Sequence, residues 1–349
     1  MEVKTKEIMM RWLILLLLIA MVIVSSGGIN PSIAATDTSS AVAKGEMDKV
    51  RIGYLTPSAS GILPWITKES GFFAKYGIDV SLTYISPTAL TAALISGDVD
   101  VAYASLSNIP AAVASGAELV IIGASYQGPI FKMVASRNVG RVENLKGKKV
   151  GVTKIGSTTD AVARKLVIDH GMKPGQDVAI LAMGSTASIV AGLQSGAIDA
   201  GVLSDPFTSV AVSSGFPVIY DQKQSGQKNV GIPLTVRRSY LKSNEGLLTR
   251  FLKANIEAIH LMKTNPDKAC KNLSKYMGIK DAKIIRESVV SMTKITEKDL
   301  SIPMEMLKAK LKITGRSNPG VAKLRPEDLI DMSIFEKIKA SGFIERLYK

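Results

Sequence analysis

One phrase is written twice in this chain. LISGDVDVAYAS begins at Leu94 and LQSGAIDAGVLS at Leu193, ninety-nine residues later, and the echo runs on through AAVASG (Ala111 to Gly116) and VAVSSG (Val210 to Gly215). A repeat of this length, with a helix-like stretch, a Ser-Gly stop and an apolar strand-like run, marks a supersecondary unit used twice. Upstream of the first copy stand VRIGYL (Val50 to Leu55), ILPWITKESGFFAKYG (Ile62 to Gly77) and IDVSLTYI (Ile78 to Ile85). Upstream of the second stand KKVGVTK (Lys148 to Lys154), a loop and helix from Gly156 to Gly171, and QDVAILAM (Gln176 to Met183). Each set reads strand, helix, strand, helix, strand. The expected architecture is α/β, with two lobes that each carry a parallel sheet flanked by helices.

Two further segments connect the copies. Ala117 to Asn138 contains strand-like stretches long enough to pass from one lobe to the other, and Asn229 to Leu241 supplies a return. This predicts a first lobe from 48–134 and 236–349, a second from 135–235, and a two-segment hinge between them. The helical remainder, exemplified by LLTRFLKANIEAIHLM (Leu247 to Met262), is read as packing on the first lobe.

The N-terminus carries Lys4, Lys6 and Arg11, an apolar run from Trp12 to Val24, and small residues at Ser32, Ala34 and Ala35. That layout predicts a secretory signal peptide over 1–35, followed by a Ser/Thr/Ala-rich flexible leader over 36–47. No Cys stands near the cleavage region, so a periplasmic rather than lipid-anchored protein is expected. The single Cys270 precludes an internal disulfide, and two histidines, His170 and His260, are too few for a His-rich metal site. Neither a metal nor another cofactor is expected. The net charge of +14 comes from cations scattered through helices, with only 5% aromatic residues. It therefore reads as a solvated surface, without the basic stripe or stacking platform of a nucleic-acid binder.

In open α/β sheets ligands sit outside the carboxyl ends of the strands, so the loops that follow the strands are the candidate site. They are short and rich in hydroxyls: Ser58 and Ser60, Ser105 and Ser107, Ser157, Thr158, Thr159 and Asp160, and Ser204 with Asp205. GSTTD (Gly156 to Asp160) starts a helix with the spacing of a capping box, and its amides and hydroxyls suit an anion. Asp160 has two readings, a cap for that helix or a cleft-facing partner for a donor on the ligand. Asp100 and Asp199, at the opposite sheet end, are read as caps of the turn before the strand. The chain lacks GxSxG, HExxH, CxxC, GxxxxGK[ST] and a helix-opening GxGxxG, so no catalytic residue is assigned.

GFFAKYGIDV, LISGDVDVAYAS, LKGKKVGVTKIGSTTDAVARKLVIDHGMKPGQDV and LQSGAIDAGVLSDP, in this order, resemble the nitrate/sulfonate/taurine-type substrate-binding proteins of ABC importers and the related thiamine-pyrimidine-synthase-like domain. The resemblance implies a type II periplasmic binding fold and a small anionic or polar ligand closed between the lobes. It also implies a permease and an ATPase as partners, with the binding protein itself a monomer. The ten loop residues named above match the positions where this family binds. The sulfonate and taurine binders usually carry a His where this chain has Thr159 or Asp160. Two alternatives stand beside a transport role: an enzyme on the same scaffold, of thiamine-pyrimidine or chorismate type, and a ligand-binding sensor module.

Overall fold

Central strands set the frame. The computed structural model describes residues 46–225, 230–316 and 318–349. The expected signal peptide and most of the leader lie outside them. β1 (Asp48–Tyr54) is followed by α1 (Ile62–Glu69), β2 (Ile78–Tyr84), α2 (Pro87–Ser96), β3 (Val101–Tyr103) and α3 (Ile109–Ala114). After β4 (Leu119–Gln127) and β5 (Lys132–Ala135), the pattern restarts with β6 (Lys149–Val152), α4 (Thr158–Asp169), β7 (Ala179–Ala182), α5 (Thr186–Ser195), β8 (Ala200–Leu203) and α6 (Phe207–Ser213). β9 (Val218–Asp221) and β10 (Val230–Arg237) complete the strands, and helices occupy the rest, among them α7 (Glu245–Thr264), α8 (Ala282–Thr293) and α9 (Met304–Gly315).

Two five-stranded sheets result, ordered β2-β1-β3-β10-β4 and β7-β6-β8-β5-β9. Position by position the orders match, so the doubled phrase encodes a doubled sheet. Each copy places a glycine in the strand that opens its unit, where a buried side chain lies directly above it. A Cβ on Gly53 would meet Leu90 of α2 at 2.2 Å, and one on Gly151 would meet the Ile198 side chain at 2.5 Å. Both neighbours are fully buried, so the smallest residue sits where core side chains crowd the strand most closely.

The sheets are not wholly parallel, as the repeat alone predicts. β10 runs antiparallel to β3 and β4, and β5 antiparallel to β8 and β9. Each of these strands arrives from the other lobe and inserts beside the last strand of the repeated unit. The chain leaves the first sheet after Gln127 and joins the second at Lys132; it leaves the second after Asp221 and rejoins the first at Val230. The expected boundaries at 134/135 and 235/236 therefore fall inside β5 and β10, since each crossing strand pairs from its first residue. The helix expected over Ile62 to Gly77 is two pieces, interrupted where Gly71 takes φ 77°, a conformation that suits glycine.

The two lobes have different cores. The first gathers Trp65, Phe73, Tyr103, Phe251 and Phe335, each essentially inaccessible, around β1, α1 and α7. Trp65 stacks on Tyr276 at 5.0 Å between ring centroids and meets Tyr54 edge-on at 5.5 Å. The buried core of the second lobe is aliphatic, built on Val150, Val152, Leu166, Val167 and Val202 on one face of its sheet and Ile189, Leu193 and Ile198 on the other.

Candidate functional site

In both copies a carboxylate fixes the end of the central strand remote from the loops. Asp100 accepts the Arg51 backbone N–H at 2.9 Å and returns its own N–H to the Arg51 carbonyl at 2.8 Å. Asp199 accepts Lys149 N–H at 2.9 Å and donates to the Lys149 carbonyl, also at 2.9 Å. Both aspartates are structural, as the sequence assigns, but each binds the backbone of the neighbouring strand and not the turn before its own.

At the other end the loops hold chains of hydroxyls. In the first lobe Thr56 Oγ1 lies 2.9 Å from Ser58 Oγ, which lies 3.0 Å from Ser60 Oγ; Ser58 and Ser60 are buried. Ser60 also bonds to the buried Tyr126 hydroxyl, whose acidity burial suppresses. In the second lobe Thr153, Ser157 and Thr159 form a triangle, with Thr159 Oγ1 2.9 Å from both the Thr153 and the Ser157 hydroxyl. Thr159 Oγ1 also accepts the Thr153 N–H at 2.9 Å. Small residues at these positions let each hydroxyl find another at hydrogen-bonding distance.

Ser157 is the N-cap of α4, accepting the Asp160 N–H at 3.4 Å. Asp160 is buried, with one oxygen accepting Gly156 N–H at 2.9 Å and the other Arg164 Nε at 2.8 Å. Its carboxylate thus folds the loop and closes the helix start. Thr158, beside it, is exposed. Ser105 accepts the Ser107 N–H at 3.2 Å, and Ser107 in turn meets Lys310 Nζ at 3.3 Å.

Ser60, Ser204 and Asp205 come together across the lobes. The Ala59 N–H of the first lobe donates to the Asp205 carbonyl of the second at 3.0 Å. Together with Lys132 and Asp221 on strands of the second sheet and Met292 of α8, these loops line a cavity of about 10 Å³, at the lower limit for one water molecule. Lys132 Nζ lies 3.9 Å from Asp221 Oδ2. The lobes are in contact here, and no hydrogen bond of the described residues brings the Ser157–Asp160 loop to the first lobe.

The sequence reading does not single out Tyr84. It ends β2 in register with Tyr54, at the carboxyl edge of the first sheet, and is 53% exposed with its ring 6.0 Å from that of Tyr54. A large aromatic as the last residue of a strand was the available signal. Lys310 was not legible at all as a neighbour of Ser107, from which 203 residues separate it.

A family profile described as NMT1/THI5 like matches residues 62–269, more than half of the chain. No curated protein sequence matches. Among solved structures, one from Bordetella bronchiseptica is 22% identical, with a TM-score of 0.69 over 85% of this chain and 98% of that one. The periplasmic aliphatic sulphonate binding protein SsuA of Escherichia coli is 24% identical, with a TM-score of 0.64 over 79% of this chain and 94% of its own. The periplasmic nitrate-binding protein NrtA of Synechocystis is 17% identical, with a TM-score of 0.67 over 84% and 89%. These likenesses establish the two-lobed periplasmic binding fold. No helix among the described residues is long and apolar enough to cross a membrane.

Proposed function

The chain belongs to the NMT1/THI5-like family, and we propose on that premise that it is the solute-binding component of an ABC importer. In this reading residues 1–35 direct export to the periplasm. The protein works there as a monomer, closes on a small anionic or polar ligand between its lobes, and presents the closed form to a membrane permease driven by an ATPase. The observation that carries the reading is the meeting of Ala59 and Asp205: short loops at the carboxyl ends of two matching sheets are brought to hydrogen-bonding distance by strands that cross between the lobes. Opening about the passages from β4 to β5 and from β9 to β10 separates those loops, and a ligand that binds both sets draws them together.

The binding residues of this reading are the hydroxyls at Ser58, Ser60, Ser105, Ser107, Ser157, Thr158, Thr159 and Ser204, with Asp205. Asp160 acts by holding its loop. The likeness to sulphonate- and nitrate-binding proteins supports an oxyanion or a carboxylate as ligand.

The test is a thermal-shift screen of the chain from residue 46 onward against nitrate, sulfonates, taurine, pyrimidines, riboflavin and aromatic carboxylates. A ligand present at 100 times its Kd stabilises the fold by about 2.7 kcal/mol. The proposal expects a hit that is recovered unchanged and that shrinks the protein in solution scattering. A hit that is consumed replaces transport by catalysis, and one that leaves the scattering profile unaltered removes lobe closure.

A further inference from the structure

Lys310 stands out among the cations of the C-terminal helices. It lies on α9, where its neighbour Lys308 behaves as a surface lysine, exposed and paired with Glu305 at 3.0 Å. Lys310 is half-buried, and its one hydrogen bond among the described residues is to Ser107 Oγ at 3.3 Å. None of the ion pairs among those residues includes it. Burial alone pulls its ammonium below the ordinary lysine range, with no carboxylate to raise it again.

That arrangement is unfavourable as it stands. An ammonium carries three donors and is strongly hydrated; moving it partly out of water needs counter-charge or several acceptors, and a single hydroxyl supplies neither. On the same helix Lys308 stays in solvent. The chain instead directs the Lys310 cation onto the loop that follows β3, one of the loops at the carboxyl edge of the first sheet. Leu106, Ile109, Leu307 and Leu311 belong to one buried cluster that packs α9 against the same loop and helix. The position of the charge is therefore built by packing.

We propose that Lys310, held by Ser107, is the charged anchor on the first lobe for the ligand, and that it selects ligands carrying a carboxylate or another oxyanion. The inference rests on the solute-binding reading above and adds to it the residue that sets the sign of the ligand's charge. The hydroxyls of the facing loops are neutral and accept either sign of partner. A fixed cation does not; it rewards an anion and penalises an amine placed beside it.

The experiment uses the chain from residue 46 onward with lysines labelled at Cε, and assigns the Lys310 resonance by its loss in Lys310→Arg. Acetate, benzoate, nitrate, phosphate and methanesulfonate are titrated in turn, with benzamide and methylamine as neutral and cationic controls. At least one anion is expected to shift the Lys310 signal saturably while both controls leave it in place. Lys310→Met is expected to weaken that anion at least tenfold, with a melting temperature equal to or above that of the parent, because an uncompensated charge has been removed; Lys310→Arg restores part of the affinity. Failure of every anion to move the resonance, or equal affinity in Lys310→Met, overturns the assignment. A ligand from the wider screen that closes the lobes without touching Lys310 overturns it too and leaves the solute-binding reading intact. An anion that moves Lys310 without lobe closure has the opposite meaning: the anchor stands and the delivery role falls.

Discussion

In the first lobe Asp100 accepts the Arg51 N–H and grips the Arg51 guanidinium through both oxygens, at 3.0 and 2.7 Å, with Arg237 at 3.9 Å behind it. In the second lobe Asp199 accepts the Lys149 N–H and, among the described residues, has only Lys148 at 3.8 Å for a counter-charge. The same clamp is reinforced in one copy and left plain in the other. The cores repeat the contrast, because the C-terminal helices cover the first lobe and bring aromatic partners to α1, whereas the second lobe's fully buried core is aliphatic and its aromatics, Phe131, Phe207, Phe216 and Tyr220, are only partly buried. The difference teaches that the repeat fixes the order of the shared elements, while substitutions within each unit and the helices added after it decide what holds each copy together.

The largest test of that contrast is Trp65→Ala. It removes a fully buried ring that contacts both Tyr54 and Tyr276, and a loss of about 3–5 kcal/mol is expected. Hydrogen exchange in this variant should quicken in α1 and in the segment around Tyr276 while the amides of β6 and β8 keep their protection. Equal loss of protection in both lobes would mean that the two crossings weld them into one cooperative unit, and the contrast would dissolve.

Next in size is the pair of clamps. Asp100→Ala is expected to lower stability by about 2–3 kcal/mol, through the backbone donor it leaves without a charged acceptor and through loss of a buried carboxylate whose Arg51 partner is itself half exposed. Asp199→Ala should lower it by about 1–2 kcal/mol, measured by chemical denaturation. A larger loss in the second lobe would show that the guanidinium is ornament to the clamp.

How much of this was visible in the sequence follows from what the repeat can carry. Strand order within each unit, the helix between each pair of strands and the role of Asp100 and Asp199 all depend on contacts within about fifty residues, and LISGDVDV and LQSGAIDA spell them out. The antiparallel placement of β5 and β10 depends on an exchange between lobes, which no local period records. At the site the hydroxyl loops were legible as loops, and their internal bonding was not. Ser157 and Thr159 are spent in part on each other and on Thr153, and Asp160 on Gly156 and Arg164, because a tight helix start must satisfy its own donors first.

That division of labour within one loop gives a smaller and sharper comparison. Ser157→Ala removes the N-cap of α4 and is expected to lower stability by about 1 kcal/mol. Thr158→Ala touches an exposed side chain and should stay within about 0.5 kcal/mol of the parent. Binding of the hit from the screen should weaken in both, and in Thr158→Ala at unchanged melting temperature. If neither substitution alters binding, the second lobe's contribution lies in other loops.

The smallest effect concerns pH and belongs to the first lobe alone. Glu69, at the end of α1, is largely buried, which by itself would raise its pKa; hydrogen bonds from Lys275, Tyr276 and Asn272 outweigh that and hold the carboxyl below its ordinary value of 4.5. A carboxyl depressed by folding stabilises the native state at pH above its unfolded value, and that stabilisation is lost as pH falls through the lower, folded value. The parent should therefore lose stability across the interval just below pH 4.5 more steeply than Glu69→Gln, whose acid limb should be flatter. Because these bonds tie α1 to the C-terminal segment, the steep acid loss should appear in first-lobe probes before it reaches β6 or β8. Parallel acid limbs in parent and variant would show that the three donors only offset burial at Glu69, and would remove one of the supports that set the first lobe apart from the second.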